Sequence, residues 1–117
     1  FVDDEQILAE MGKTMLERLG YNVTVKNSSL EALATFHNNH DQFDLVITDQ
    51  TMPGMTGADL SRRMIQIRPD IPIILCTGFS SIISEEGAKS IGIKGFSYKP
   101  VTKEKFSKLI RKVLSAS

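Results

Sequence analysis

"FDLVITD", residues 43–49, is an almost unbroken apolar run that ends in a carboxylate. Runs of this kind mark strands covered on both faces, as in parallel sheets, where helices shield each side. A second run, "IPIILCT" at 71–77, repeats the pattern. Between them lies a loop with Pro53, Gly54 and Gly57, then a segment carrying Leu60, Met64 and Ile67 at helical spacing. Thr56 is placed to cap that helix, and Pro69 and Pro72 stop it. Further on, "SSIISEEGAKSIG" at 80–92 reads as a weak helix, because Gly87 and several serines lower its propensity. "KGFSYKP" at 94–100 gives a short strand. Thr102 opens a last helix with Phe106, Leu109, Ile110, Val113 and Leu114 on one face.

Upstream of the first run, "YNVTVK" at 21–26 alternates like a strand. Ser28, three residues before Glu31, has the form of a capping box. The helix after it would bury Leu30, Leu33, Ala34 and Phe36. Earlier still, Ile7, Leu8, Met11, Met15, Leu16 and Leu19 are spaced for one helical face, with Gly20 as its terminator. Phe1 and Val2 read as the end of a truncated first strand, so the native chain is expected to continue upstream. Five β–α units in series predict a three-layer α/β/α fold with a parallel sheet and right-handed crossovers. The 117 residues fit one domain, 1–117.

Bulk properties narrow the function. Fourteen basic and fourteen acidic residues cancel, which leaves no overall field for nucleic acid or an anionic membrane. No apolar stretch approaches the roughly 20 residues of a membrane span. The lone Cys76 cannot form an internal disulfide, which suits a cytoplasmic protein.

In a doubly wound sheet, ligands bind beyond the carboxyl ends of the strands. The polar residues there are Asp3 and Asp4, Asp49, Thr77 and Lys99, with only the second strand contributing nothing obvious. Three crowded carboxylates repel one another, and a divalent cation relieves them. Magnesium prefers such hard oxygen ligands, while a lysine and a hydroxyl can hold phosphoryl oxygens. Phosphoryl transfer asks a protein mainly for positioning and charge neutralisation.

"VDDE", "DQTMPGMTG", "LCTG" and "KP", in that order along the whole chain, closely resemble the receiver domains of response regulators and hybrid sensor kinases. The resemblance implies a flavodoxin-like sheet of order 2-1-3-4-5. It makes Asp49 the phosphoacceptor from a histidine kinase or phosphotransfer domain. Mg2+ would be held by Asp4, Asp49 and the backbone carbonyl of Thr51, with Asp3 acting through water. Lys99 would pair with a phosphoryl oxygen, and Thr77 would bond the phosphoryl group and draw its loop inward. Phe96 would be the aromatic switch, although it lacks the hydroxyl of the more frequent tyrosine. The fourth helix, fifth strand and fifth helix would form the face that a partner reads. Such a domain catalyses its own phosphorylation and dephosphorylation without being a turnover enzyme. "LCTGFS" leans toward receivers of hybrid kinases, and a receiver homodimer stays open.

Other readings stand beside these. Asp3 and Asp4 can cap the helix that follows, and Phe96 can be ordinary core. His37 and His40 have a spacing that could hold a metal but read better as surface residues, and Cys76 as a small buried hydrophobe. A small Mg-dependent phosphohydrolase also uses a strand-end aspartate, with a second acid two residues on. Thr51 stands at that position here. The third alternative is a pseudo-receiver that only docks, and the intact set of Asp4, Asp49, Thr77 and Lys99 argues against it.

Overall fold

The computed structural model describes residues 1–78 and 83–115. Its elements are α1 (Gln6–Arg18), α2 (Ser29–Asn39), a 3-10 turn at His40–Gln42, β1 (Val46–Asp49), α3 (Gly57–Ile67), β2 (Ile73–Thr77), α4 (Glu85–Ile91), β3 (Gly95–Tyr98) and α5 (Lys103–Ser115). β1, β2 and β3 form a parallel sheet in that order. Val2 makes one parallel bridge to Lys26 and another to Thr48. The segment at Lys26, Val2, β1, β2 and β3 therefore lie side by side in the order 2-1-3-4-5.

Every residue of β1 and β2 is buried, as a strand covered on both faces requires. Their side chains divide with period two. Val46, Ile73 and Leu75 join Ala32, Phe36, Leu60, Met64 and Ala88 in one core. Ile47, Ile74 and Cys76 join Leu16, Phe106, Ile110 and Val113 in the other. So α2, α3 and α4 cover one face, and α1 and α5 cover the other.

The caps follow the sequence. Ser28 accepts a hydrogen bond from the Glu31 amide, Thr56 from Asp59 and Thr102 from Lys105. These satisfy amide donors that a helix start leaves free. Gly20 ends α1 at φ 99°, in the left-handed region that favours glycine. α4 begins only after Ser84, its N-cap, and residues 80–82 of the expected helix lie outside the described residues.

Three expectations need correction. "YNVTVK" forms no regular strand; only Lys26 bridges, because its neighbour there is Phe1–Asp3, which offers a ladder one bridge long. The inner face of α1 is Ala9, Gly12 and Leu16, and Ile7 and Met11 are 74% and 57% exposed. The Phe1 ring explains this shift. It lies so close that a Cβ on Gly12 would sit 2.6 Å from its tip, so position 12 of the inner stripe has room only for glycine. On α2, Leu30 and Ala34 face outward, and Ser29, Ala32 and Phe36 are the buried residues.

Candidate functional site

β1 ends at Asp49, whose amide donates to the Val2 carbonyl at 2.9 Å. That pairing carries the next residues of the first segment, Asp3 and Asp4, to the same edge. Asp49 and Asp3 are buried, and Asp4 is more open. One carboxylate oxygen from each lies within 4.8 Å of the others. The Asp3 carboxylate also accepts from the Glu5 amide at 3.0 Å. Asp3 thus orders the turn into α1, while α1 itself has no side-chain cap.

Lys99 follows β3, and its amide donates to the Thr77 carbonyl at 2.8 Å. Its Nζ reaches Asp49 Oδ1 at 2.8 Å and Asp3 Oδ2 at 3.7 Å. Burial pushes the Asp49 pKa up. Lys99 opposes that shift and the charges of Asp3 and Asp4 reinforce it, and the net direction is upward. For Lys99, burial acts to lower the pKa, but the hydrogen bond and charge of Asp49, then the charge of Asp3, outweigh it and raise it. Both directions state one fact: Asp49 and Asp3 share a single ammonium, with Asp4 close by. The site as it stands has negative charge in excess, and the hard oxygen donors of Asp3, Asp4 and Asp49 fit a small divalent cation.

The loop after Asp49 is fixed from two sides. The Gln50 amide donates to the Cys76 carbonyl, and its own carbonyl and side-chain Oε1 accept from Gly57 and Ala58 at 2.9 and 2.8 Å. The first amides of α3 are thus folded back onto the residue beside the central acid. Gly57 lies directly under Asp49, where a Cβ would collide with the Asp49 carbonyl oxygen.

Thr77 and Thr51 fall on the same edge with different exposure, and Phe96 lies within β3, paired with Leu75. Thr77 is wholly buried one register position past the Asp49–Cys76 pair, and its hydroxyl donates to the Gly78 carbonyl at 3.2 Å. Thr51 is exposed at the start of the loop. Phe96 is half-buried against the core and meets Tyr98 edge-on, centroids 5.2 Å apart. The Lys99–Pro100 peptide is cis. His37 is exposed and joins no metal-ligating cluster among the described residues. Cys76 is buried, with its thiol pushed up to about 12 by burial above all.

Sequence reasoning passed over two residues of the second connection. The Asn27 side-chain amide donates to the Asp3 carbonyl at 3.1 Å, and the Ser29 hydroxyl donates to the Met55 carbonyl at 2.6 Å. No motif marks them. The one available signal was a second serine following the capping Ser28.

A parallel α/β sheet with acids and a lysine gathered at its carboxyl edge defines a class of ligand-binding doubly wound domains. Within that class, the model of the response regulator receiver domain matches residues 1–111, and the chain belongs to that family. A putative two-component response regulator of Arabidopsis thaliana is 32% identical over 97% of this chain and 18% of its own length. The C4-dicarboxylate transport transcriptional regulatory protein of Rhizobium meliloti is 33% identical over 95% of this chain and 24% of its own length. The chain therefore spans about a quarter or less of these two relatives. Among solved structures, a response regulator receiver domain protein from Clostridium thermocellum superposes with TM-score 0.93 at 32% identity, covering 98% of this chain and 91% of that one. A Vibrio cholerae chemotaxis protein superposes with TM-score 0.85 at 29% identity, covering 96% and 93%. No helix among the described residues is long and apolar enough to cross a membrane.

Proposed function

We propose that Asp49 accepts a phosphoryl group from the phosphohistidine of a histidine kinase or phosphotransfer domain, and that the chain is a cytoplasmic signalling switch. The observation that carries this reading is the convergence of Asp3, Asp4, Asp49 and Lys99 at one strand edge. An Asp49 carboxylate oxygen attacks phosphorus, a P–O bond forms, and the P–N bond breaks, with the electron pair leaving on the imidazole. Lys99 is already against Asp49 and would take up a phosphoryl oxygen there. Asp4, Asp49 and the Thr51 carbonyl would hold Mg2+, with Asp3 reaching it through water; the ion would supply the charge that offsets the crowded acids. Thr77 would meet the phosphoryl group by turning its hydroxyl away from Gly78. Phe96 would follow, altering the face made by α4, β3 and α5.

The donor must come close to Asp49, and the surface supports such an approach. A cleft lined by Leu8, Met11, Met15, Val101 and Phe106 opens beside Asp49 and Lys99. Ile7 and Met11 on α1 leave apolar surface exposed near it, which is the kind of patch a partner helix covers.

The test is phosphotransfer from a phosphorylated histidine kinase in the presence of Mg2+, followed by mapping of the label. Acid-stable, hydroxylamine-sensitive label on Asp49, absent in Asp49→Asn, is the expected result. Equal label on Asp49→Asn, or sustained turnover of a chromogenic phosphate ester, would overturn it, the latter in favour of a phosphohydrolase.

A further inference from the structure

We infer that Asn27 and Ser29 are positioning residues which clamp the two acid-bearing loops at a fixed separation and so set which cation the site accepts. The inference rests on the reading of Asp4, Asp49 and the Thr51 carbonyl as cation ligands. The loops come from distant parts of the chain. One is the turn Asp3–Glu5 and the other runs from Gln50 to Met55. A single short segment touches both. Asn27 donates its side-chain amide to the Asp3 carbonyl, immediately before Asp4. Two residues on, Ser29 donates its hydroxyl to the Met55 carbonyl.

The segment between these contacts is itself held. Lys26 exchanges backbone hydrogen bonds with the first segment, its carbonyl accepting from Asp3 and its amide donating to Phe1. Ser28 caps α2. Ser29 is buried, and its Oγ also lies 3.8 Å from Sδ of Met52, a buried side chain of the same loop. The near end of that loop is tied to β2 and α3 through Gln50, so Ser29 fixes the far end. Thr51 lies between the two ties.

Cation choice then follows from spacing. Magnesium demands ligands at about 2.0–2.1 Å in near-octahedral array, while calcium accepts about 2.3–2.6 Å and looser geometry. A rigid separation favours the smaller ion, and a relaxed one gives up that preference. Removal of groups that orient ligands typically weakens metal binding by about 10–100-fold.

The experiment is titration of the chain with Mg2+ and with Ca2+ by calorimetry, together with amide hydrogen exchange in metal-free buffer, for wild type, Ser29→Ala, Asn27→Ala and Ser29→Thr. Ser29→Ala is expected to lose about tenfold in Mg2+ affinity and less in Ca2+ affinity, so the ratio falls. Exchange at Met55 should quicken in the same variant. Asn27→Ala should lower the ratio as well, and Ser29→Thr, which keeps the hydroxyl, should recover it. A purely structural role would lower the melting temperature and leave the ratio alone. An unchanged ratio in both alanine variants overturns the clamp and spares the phosphoacceptor reading. A wild-type chain that binds neither ion overturns both, and shows this before any variant is made.

Discussion

Nζ of Lys99 sits 2.8 Å from Oδ1 of Asp49 and 3.7 Å from Oδ2 of Asp3, so one ammonium serves two buried carboxylates. The arrangement is poised for an incoming charge. A phosphoryl oxygen would give Lys99 a new partner, and a divalent cation would take over its work at the acids. Four predictions follow from the geometry around this pair.

Asp49→Asn should stabilise the metal-free chain at neutral pH. The folded pKa of Asp49 lies above its ordinary value, so the folded chain holds that proton more tightly than the unfolded chain. Its contribution is largest in acid and is lost as pH rises through the raised pKa. Asparagine removes the loss. Thermal melts in chelator from pH 4 to 8 should show the variant above wild type at neutral pH and the two converging in acid, over roughly that range. Added Mg2+ should raise the wild-type melting temperature more than that of the variant.

Lys99→Ala should destabilise the metal-free chain. Removal of one partner from a fully buried pair costs about 3–5 kcal/mol. The Lys99 side chain is 32% exposed, so solvent screening reduces this to roughly 1–3 kcal/mol. Because the folded pKa of Lys99 is raised, the wild-type contribution is full below the ordinary lysine pKa and fades as pH climbs through the raised value. Urea midpoints at pH 7 and pH 11 would measure it, the variant's deficit shrinking at the higher, roughly ammonium-titrating pH. An alanine variant as stable as wild type at neutral pH would falsify the pairing.

Gly57→Ala should be severe. The added methyl would strike the Asp49 carbonyl oxygen and come within 2.8 Å of Leu75 Cδ1. Backbone at the end of a buried strand cannot retreat as a flexible side chain can. A loss of about 3 kcal/mol or more, at the top of the range for overpacking, is expected in urea denaturation. Mg2+ affinity should drop as well, because the clash moves Asp49 itself.

Cys76 should be inert in the native chain. Its thiol is buried and its pKa is pushed up to about 12, so almost no thiolate exists at neutral pH. A thiol reagent at pH 8 should react at a rate that tracks unfolding, becoming fast only in denaturant. Rapid native labelling would contradict the packing of β2 against α5.

Much of the fold was legible because it rests on local rules. The two apolar runs read as covered strands, and Ser28, Thr56 and Thr102 announced helix starts that the structure confirms. The faces of α1 and α2 were not legible. Periodicity identifies an apolar stripe, but which stripe turns inward depends on how near the neighbouring layer lies. Beside the Phe1 ring a Cβ at Gly12 has no room, and Ala9, Gly12 and Leu16 form the buried stripe while Ile7 and Met11 face solvent.

The site divides in the same way. By itself the sequence determined the chemistry, since acids, a threonine and a lysine at strand ends follow from the alternation of strands and helices, and their motifs carry the family. Only the tertiary structure decided the geometry. It placed Lys99 between Asp49 and Asp3, put Gly57 beneath the Asp49 carbonyl, and brought Asn27 and Ser29 to the two loops. Those contacts join residues separated by 24 to 26 positions at Asn27 and Ser29, and by far more at Lys99. No local pattern encodes such distances; they are set when helices on both faces fix the parallel sheet in register.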